Sequence, residues 1–363
     1  MKQIVISGYY GFDNIGDDAM IETFSKYFKG KGINSIIMSK NPLNTSKKYD
    51  ISAINRSNIF NIFSAINKSD ALISGGGTLL QDVTKVISIW YYLVIVWIAI
   101  ILKKPVYILF QGIGPINNKF NIWLTKKTLK KVKAIYLRDK KAYDEMQRLG
   151  FDTSNVQVSS DLVYALQYSD KIESETLLKK QIQNYSTDKK YIGVSLRPWN
   201  NISNEEKFAE ILDRISSECN SEIVFFPFHK LQDINYSKSI QSKMKNKSYI
   251  IQGDYLPSQV AGMMSIMKLN IGVRLHSLIF ATITKVPTIG ISYDPKVDGF
   301  LKEIGMESVC DYNNINGEKI INKTKEILNN NLYDYSIFDK INDNKKDVIK
   351  ILDSVIGEIY GKN

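Results

Sequence analysis

Residues 273–297 read VRLHSLIFATITKVPTIGISYDPKV, and this stretch decides the fold class. The apolar run Asn270–Val273 just before it predicts a strand, Ser277–Ile283 predicts a helix, and Val286–Ile291 predicts a second strand. A strand, a helix and another strand rich in β-branched residues are typical of a parallel sheet with helices on its faces. The sequence therefore predicts an α/β protein.

Charged residues follow both of these strands. Arg274 and His276 come after the first strand, and Lys296 comes after the second within Asp294-Pro295-Lys296. Open α/β sheets bind their ligands at the carboxyl ends of their strands. Arginine pairs with carboxylates and phosphates, and histidine exchanges protons near neutral pH. The pattern predicts a site for a small polyanion, although His276 alone would equally suit a core histidine.

A third candidate cation ends an earlier strand, in Gly193–Trp199 (GVSLRPW). Pro198 favours an extended backbone at Arg197, which would project the guanidinium into the binding region. A surface salt bridge is the alternative role for this arginine. His229, in the segment FPFH, also follows a strand and is a second-rank candidate.

The first strand runs into Ser7–Asp18, SGYYGFDNIGDD, which we expect to open a helix at about Ala19. Its glycines would let the backbone approach a ligand, but their spacing is not G-x-G-x-x-G. Asp17 and Asp18 suit the positive end of a helix dipole and would repel a phosphate there. A nucleotide is therefore disfavoured. Either carboxylate would serve as a base for a sugar hydroxyl, or simply cap the helix.

Two more glycine-rich loops follow apolar strands: SGGGT at residues 74–78 and QGIGP at 111–115. Glycine clusters at such positions form a backbone wall around a ligand, or else tight turns. Three such loops in one half of the chain favour a binding cleft. The residues that we assign to ligand contacts here are Asn14, Asp17, Asp18, Gly75, Gly76, Gly77, Gln111 and Gly112.

Alternating strands and helices predict two Rossmann-like domains with parallel sheets facing a cleft. We expect the first at residues 1–175, the second at 188–325, and C-terminal helices at 326–363 that pack back on the first. The polar stretch Asp170–Asp188 is the expected linker. The expected strands are Gln3–Ser7, Asn34–Met38, Ala71–Ser74, Val106–Phe110, Ala134–Leu137, Val156–Ser159, Tyr191–Leu196, Glu222–Phe226, Tyr249–Gln252, Leu269–Val273 and Thr288–Ser292. The C-terminal apolar stripe is Val348, Ile351, Leu352, Val355 and Ile359.

The composition of the 363 residues, 44% hydrophobic and 23% charged, is that of a globular protein. Cys219 and Cys310 match neither a zinc framework nor a disulfide scaffold, so we expect reduced, cytosolic cysteines and no signal peptide. No metal motif is present, and no metal is expected. The net charge of +11 suits an anionic membrane face or acidic substrate at least as well as nucleic acid, because the lysines form no basic tail.

The apolar segment Val86–Leu102, VISIWYYLVIVWIAIIL, approaches the length of a membrane span. A span would place two halves of one sheet on opposite sides of a bilayer, so a buried crossover helix or a helix lying in the membrane interface fits better. Trp90, Tyr91, Tyr92 and Trp97 favour the interface.

Six segments together resemble the polysaccharide pyruvyl transferase family, and most closely the enzymes that modify secondary cell-wall polysaccharides for surface-layer anchoring. In order they are SGYYGFDNIGDDA (7–19), SGGGTLLQD (74–82), QGIGP (111–115), VSLRPW (194–199), GVRLHSLIFA (272–281) and GISYDPKV (290–297). The resemblance implies a GT-B-like fold and metal-independent transfer from phosphoenolpyruvate, a co-substrate, with no cofactor. The implied product is a 4,6-pyruvate ketal on N-acetylmannosamine of an undecaprenyl-diphosphate-linked saccharide.

By the same resemblance Arg197, Arg274 and His276 are the donor-binding and catalytic residues, and Leu275 contributes backbone contacts. Lys296 is added from its own charge. The implied location is cytoplasmic, peripheral at the inner membrane face, with no nucleic-acid partner. Two alternatives remain open: a GT-B glycosyltransferase with a nucleotide-sugar donor, and a non-catalytic carbohydrate- or lipid-binding protein.

Overall fold

The chain folds into two compact units, each built around one parallel sheet. The structure is a computed structural model, and it describes residues 2–83, 85–200 and 202–361. Of these, residues 2–12, 17–166 and 344–361 form the first unit, and residues 13–16 and 167–343 form the second. Neither unit is a single continuous stretch of chain.

The first unit contains a sheet in the order β3-β2-β1-β4-β6-β7-β8, with β5 paired to β6 and every pairing parallel. Its central strands are buried on both faces, which explains their continuous apolar sequences. The strands are β1 Lys2–Ser7, β2 Ile33–Ser39, β3 Ser52–Asn55, β4 Ala71–Gly75, β5 Thr78–Leu80, β6 Val106–Ile113, β7 Ala134–Leu137 and β8 Val156–Val158. The helices are α1 Ile15–Gly30, α2 Pro42–Tyr49, α3 Ile59–Lys68, α4 Ser88–Ile101, α5 Lys119–Leu129 and α6 Lys140–Arg148.

The second unit contains a parallel sheet in the order β11-β10-β9-β12-β13-β14. The strands are β9 Lys190–Ser195, β10 Ser221–Phe225, β11 Ser248–Ile250, β12 Leu269–Gly272, β13 Thr288–Ser292 and β14 Cys310–Asp311. The helices are α7 Lys171–Gln181, α8 Glu205–Glu218, α9 Gln232–Gln241, α10 Pro257–Met264, α11 Leu275–Ile283, α12 Pro295–Glu303 and α13 Gly317–Asn330. A last helix, α14 at Ile337–Tyr360, begins in this unit and continues in the first.

The C-terminal residues are anchored on the first unit by their predicted apolar stripe, which is buried throughout. Ser159 Oγ donates a hydrogen bond to Asp347 Oδ2 at 2.8 Å, and the Tyr107 hydroxyl donates to Glu358 Oε2 at 3.2 Å. An ion pair of 2.7 Å joins Lys31 to Asp353.

Each expected strand is present, with ends that differ by no more than three residues, but three short strands were missed: β3, β5 and β14. β3 and β14 are edge strands with one neighbour each, so their sequences lack the apolar run of a central strand. The stretch Asp170–Asp188, expected to be a linker because it is polar, is partly helical. Its first part is helix α7, in which Leu177 and Leu178 are buried between polar residues.

Two helix starts were also placed too late. α1 begins at Ile15, so Asp17 and Asp18 lie in its first turn, and α11 begins at Leu275. Gln111 and Gly112, expected in a loop after a strand, lie inside β6, which continues to Ile113. A glycine and a glutamine weakened the strand pattern there, but both pair within the sheet.

Candidate functional site

The carboxyl ends of four adjacent strands in the second unit bring together the three predicted cations and the second-rank candidate His229. In the order β10, β9, β12 and β13, these strands are followed by His229, Arg197, Arg274 and Lys296. The backbone N–H of Val273 donates to the carbonyl of Ser195 at 2.9 Å, which fixes the two arginine-bearing strand ends side by side. We call this edge, together with His276 in α11, the cation edge.

Arg274 is held by a buried carboxylate that the sequence did not single out. Its Nε and Nη2 donate to Asp233 Oδ2 and Oδ1 at 2.8 and 2.5 Å. Asp233 is fully buried, and its Oδ2 also accepts the backbone N–H groups of Phe228 and His229. This bidentate pair fixes the guanidinium plane. It leaves Nη1 and one Nη2 hydrogen for a ligand, since a guanidinium has five N–H donors.

Arg197 is held differently, by aromatic rings. Its guanidinium carbon lies 4.9 Å from the ring centroids of both Trp199 and Tyr293, and Nη1 donates to the Tyr293 hydroxyl at 3.2 Å. Among the residues that the structure describes, no carboxylate lies within 4.0 Å of this guanidinium. The salt bridge considered from the sequence is therefore not formed, and the charge of Arg197 is available to an anion.

Lys296 shares the Tyr293 ring with Arg197. Its Nζ lies 5.5 Å from the ring centroid and 3.7 Å from Asp294 Oδ2. Lys296 lies in the first turn of α12, where its backbone N–H donates to the Asp294 side chain. The start of a helix adds a partial positive charge to that of the ammonium group.

His276 and Leu275 form the first turn of α11, whose N-terminus stands directly after β12. Leu275 is buried, and its predicted backbone contact with a ligand stays a prediction. First-turn N–H groups of a helix lack partners within the helix and favour anions. The imidazole of His276 is packed against the backbone of Gly16. A Cβ at Gly16 would lie 2.1 Å from His276 Nδ1, so only glycine fits at this position.

Gly16 belongs to the short segment Asp13–Gly16, which the fold assigns to the second unit. Asn14 forms an antiparallel bridge with His229, and the N–H of Ile15 donates to the carbonyl of Phe228 at 2.9 Å. Burial lowers the pKa of the His229 imidazole, and the charge of Arg274 lowers it further, although Asp233 and Asp13 oppose this shift. His229 is therefore neutral at pH 7, which does not suit it to donate a proton.

The remaining predicted residues lie in the first unit. Gly76 and Gly77 adopt positive φ angles of 75° and 69°, which only glycine adopts without strain. The Gly75 carbonyl accepts a hydrogen bond from the Tyr10 hydroxyl at 2.6 Å. Gln111 Nε2 donates to Ser74 Oγ at 2.8 Å, while its buried Oε1 has no partner among the described residues. These loops and the helix start with Asp17 and Asp18 form the glycine edge of the first unit.

The glycine edge has its own arginines, and both are occupied. Arg138 forms ion pairs with Asp139 at 3.3 Å and Asp161 at 3.7 Å, and Nη2 donates to Thr78 Oγ1 at 3.2 Å. A Cβ at Gly112 would lie 2.9 Å from Arg138 Nη2, so this glycine makes room for the guanidinium.

Arg56 is buried among the rings of Tyr9, Phe12, Tyr91 and Tyr92, at 4.4 to 5.9 Å from their centroids. Its Nη1 donates to the Gly8 carbonyl and its Nη2 to the Tyr92 hydroxyl. The aromatic residues of the first glycine loop therefore enclose an arginine from the end of β3, a role that their sequence did not reveal.

The model of the polysaccharide pyruvyl transferase family matches residues 14–295, a range that includes Arg197, Arg274 and His276 and ends one residue before Lys296. The chain belongs to the polysaccharide pyruvyl transferase family. It is 20% identical over 288 residues to the amylovoran biosynthesis protein AmsJ of Erwinia amylovora, covering 73% of this chain and 67% of that protein. The resemblance drawn from the six motifs is confirmed.

Solved structures show the fold class of this pyruvyl transferase family member. A UDP-GlcNAc 2-epimerase from Methanocaldococcus jannaschii is 16% identical with a TM-score of 0.66, covering 98% of this chain and 99% of that chain. Anabaena HepE, solved with UDP and glucose, is 8% identical with a TM-score of 0.61, covering 99% of this chain and all of that chain. The predicted α/β class with two parallel sheets is confirmed.

The sequence missed the residues that support the transferase's cations. Asp233 lies four residues after His229, and Tyr293 directly precedes Asp294. A carboxylate in the first turn of a helix, as Asp233 is in α9, is common, and nothing in its spacing indicates that it binds Arg274. Within the described residues, no group of three or more His, Cys, Asp or Glu side chains is arranged to hold a metal ion.

Proposed function

We propose that the protein transfers a pyruvyl group from phosphoenolpyruvate, and that the cation edge binds this donor. One observation carries the proposal: Arg197, Arg274 and Lys296 end neighbouring strands beside His276, and Arg197 has no carboxylate partner among the described residues. Phosphoenolpyruvate carries a carboxylate and a phosphate, and planar guanidinium groups match both. Membership of the pyruvyl transferase family supports the same donor.

The donor chemistry follows from these groups. His276, as an imidazolium, protonates the methylene carbon of phosphoenolpyruvate and leaves an oxocarbenium-like centre at the adjacent carbon. A sugar hydroxyl attacks that carbon and gives up its proton to a base. Phosphate then leaves with its bonding electron pair, stabilised by Arg197 and Arg274. A second hydroxyl attacks the same carbon and loses its proton, which closes the ketal and restores the charge balance.

The polyanion itself favours the required protonation state. A bound phosphate and carboxylate favour the charged form of a neighbouring imidazole. Donor binding and protonation of His276 therefore support each other. The cations stabilise the phosphate without a metal ion, so turnover in the presence of a chelator is expected to match turnover without one.

We propose N-acetylmannosamine in an undecaprenyl-diphosphate-linked saccharide as the acceptor, with a 4,6-ketal as product. The motif resemblance to enzymes of surface-layer anchoring supports this choice. The glycine edge is the proposed acceptor side. Its carboxylates Asp17 and Asp18 suit a base for a neutral sugar hydroxyl better than they suit a phosphate. Burial raises the pKa of Tyr9 and Tyr10, and the nearby charge of Asp17 adds to both shifts.

A nucleotide-sugar glycosyltransferase is the competing function, because proteins of similar fold were solved with UDP-GlcNAc or with UDP and glucose. A thermal-shift titration separates the two. Phosphoenolpyruvate at a hundred times its dissociation constant is expected to stabilise the protein by about 2.7 kcal/mol, while UDP-GlcNAc leaves it unchanged. Stabilisation by UDP-GlcNAc alone would reject the pyruvyl donor. Phosphate release from phosphoenolpyruvate that requires the acceptor saccharide then tests the acceptor class.

A further inference from the structure

Helix α4 has an apolar face that the first unit does not cover. One face packs against the sheet through residues such as Tyr92, Leu93 and Val96. The opposite face carries Trp90, Val94 and Ile101, which are 42%, 51% and 70% exposed. The helix contains no charged residue and, apart from Ser88, only apolar and aromatic ones. An ordinary surface helix places polar side chains on its outer face.

Helix α5 packs beside α4 and extends this apolar surface. Phe120 and Trp123 are each 53% exposed, and the Phe120 ring lies 6.0 Å from that of Trp90 and 5.6 Å from that of Trp123. Trp90 Nε1 donates to Asn121 Oδ1 at 2.7 Å, which fixes the indole with an apolar part outward. We call this surface, defined by Trp90, Val94, Ile101, Phe120 and Trp123, the α4–α5 face.

The charged residues in the segment that carries the α4–α5 face have one sign, and the nearby carboxylate of Asp82 is buried and hydrogen-bonded to Asn117, Asn118 and Asn121. Residues 83–138 contain nine lysines and Arg138 but no aspartate or glutamate, in a chain whose net charge is +11. Two of these lysines border the aromatic rings: Lys127 Nζ lies 5.1 Å from the Trp123 centroid, and Lys131 Nζ lies 5.9 Å from that of Trp97. Exposed tryptophan and phenylalanine beside lysine suit the interface of an anionic bilayer.

We propose that the α4–α5 face docks on an anionic lipid bilayer. α4 is 14 residues long, or about 21 Å at the rise of an α-helix, which is shorter than the hydrocarbon core. Among the described residues, no helix meets the length and hydropathy of a membrane span. The helix therefore lies along the surface. A second copy of the chain is a poorer occupant, because a symmetric contact would bring two sets of lysines together.

This inference goes beyond the proposed reaction and does not depend on it. The α4–α5 face lies in the first unit, and neither the donor nor the cation edge enters the argument. A bilayer surface is nevertheless where a lipid-linked acceptor is found, so docking would bring the protein to such a substrate.

Cosedimentation with lipid vesicles tests the proposal. The full chain is mixed with vesicles of phosphatidylcholine alone, or of phosphatidylcholine with phosphatidylglycerol. We expect strong binding to the mixed vesicles and weak binding to the neutral ones. Phe120→Ser with Trp123→Ser should weaken binding about tenfold or more, since both rings lose their insertion. Lys127→Gln with Lys131→Gln should weaken it about fivefold per lysine.

Matched control pairs lie on the second unit, far along the sequence from the α4–α5 face. Ile172→Ser with Leu231→Ser removes two side chains that are 79% and 72% exposed, and Lys179→Gln with Lys180→Gln removes two exposed charges. Both pairs should bind the vesicles like the unmodified chain. Val94→Ser with Ile101→Ser serves as a second apolar variant if the aromatic pair does not fold.

Three results would overturn the proposal: equal binding to neutral and mixed vesicles, unchanged binding of both apolar variants, or no vesicle binding by the unmodified chain. In the last case, analytical ultracentrifugation would test self-association instead. A dimer of the unmodified chain that becomes a monomer in the Phe120→Ser, Trp123→Ser variant would assign the face to contact between two copies. Stabilisation by phosphoenolpyruvate, measured on the same variants, should stay unchanged. If phosphoenolpyruvate does not stabilise the unmodified chain, the proposed donor is rejected, and the conclusion from the vesicle experiment still stands.

Discussion

The two units carry arginines at the carboxyl ends of their sheets, but those arginines are held in different ways. At the glycine edge, Arg138 is bound by two carboxylates and Arg56 is enclosed by four aromatic rings. At the cation edge, Arg274 is paired with one carboxylate, and the contacts of Arg197 within the described part of the chain are to rings, a hydroxyl and a carbonyl group. The position of an arginine after a strand is therefore not enough to indicate anion binding. Whether such an arginine can bind an anion depends on the groups that already accept hydrogen bonds from its guanidinium.

This difference has a physical cause. A guanidinium that is paired with two carboxylates, as in Arg138, or enclosed by rings with its N–H groups bonded to protein oxygens, as in Arg56, offers little charge to a ligand, and its removal mainly costs stability. Arg274 has one carboxylate partner and keeps Nη1 for a ligand, and Arg197 has no carboxylate partner among the described residues, so its charge is not neutralised. The comparison therefore predicts catalytic effects at the cation edge and separates them from effects on folding.

His276→Ala should have the largest effect. Loss of the proposed proton donor is expected to lower kcat by about 10²–10⁴-fold, while the stabilisation by phosphoenolpyruvate persists. Steady-state phosphate release and thermal-shift titration measure the two quantities. His229→Ala is the matched control, since that imidazole is neutral at pH 7 and should leave kcat largely intact. An active His276→Ala enzyme would refute the assignment of the acid.

Arg274→Ala should have the second-largest effect, and the main change should be in the free energy of unfolding. The change leaves Asp233 buried without its cation, so the free energy of unfolding should fall by about 3–5 kcal/mol. Denaturant unfolding of Arg274→Ala and of Arg274→Ala with Asp233→Ala checks this. Removal of the carboxylate as well should restore part of the loss. If the single and the double variant are equally stable, the unpaired Asp233 carboxylate is not the cause of the loss of stability in Arg274→Ala.

Arg197→Ala is the counterpart that sharpens the comparison. Its guanidinium has no carboxylate partner among the described residues, so the free energy of unfolding should change by less than about 1 kcal/mol. The dissociation constant of phosphoenolpyruvate should rise about 10–100-fold, as expected for lost hydrogen bonds to charged groups. Calorimetric titration measures that constant. Arg138→Ala should show the reverse pattern, with lower stability and unchanged donor affinity.

His229→Gln should have the smallest effect, a change in the free energy of unfolding that appears only at acidic pH. Because the folded-state pKa of His229 lies below its ordinary value of 6.5, the unfolded chain takes up a proton at a pH at which the folded chain does not. The resulting contribution to stability is present above pH 6.5 and is lost as the pH falls through that value. Denaturant unfolding at about pH 8 and about pH 5.5 should therefore show a smaller acid loss in His229→Gln. An identical loss in both proteins would remove His229 as its source.

Much of the fold could be predicted because parallel central strands are buried on both faces. The buried strands β4, β6, β9 and β13 are mostly apolar in sequence, and the strand itself places a cation that follows its end. Arg197, Arg274 and His276 were predicted as site residues in this way. Asp233 and Tyr293 were not, because their roles depend on side-chain directions that no local pattern records.

The glycine loops show the other limit. Their composition indicated close approach of some group to the backbone, but not which group. At Gly16 the neighbour is the imidazole of His276, and at Gly112 it is Arg138, so these two glycines accommodate protein side chains rather than a ligand. Only the three-dimensional neighbours distinguish these cases.

The interleaving of the two units has a consequence for synthesis on the ribosome. The first unit contains the N-terminal strand, yet it includes residues 344–361, whose stripe of Val348, Leu352 and Val355 is fully buried. Since domains fold as units during translation, the N-terminal unit cannot complete its core until nearly the whole chain has emerged. The second unit, made later, has all its residues available first. The order of folding of the two units is thus expected to be the reverse of their order along most of the chain.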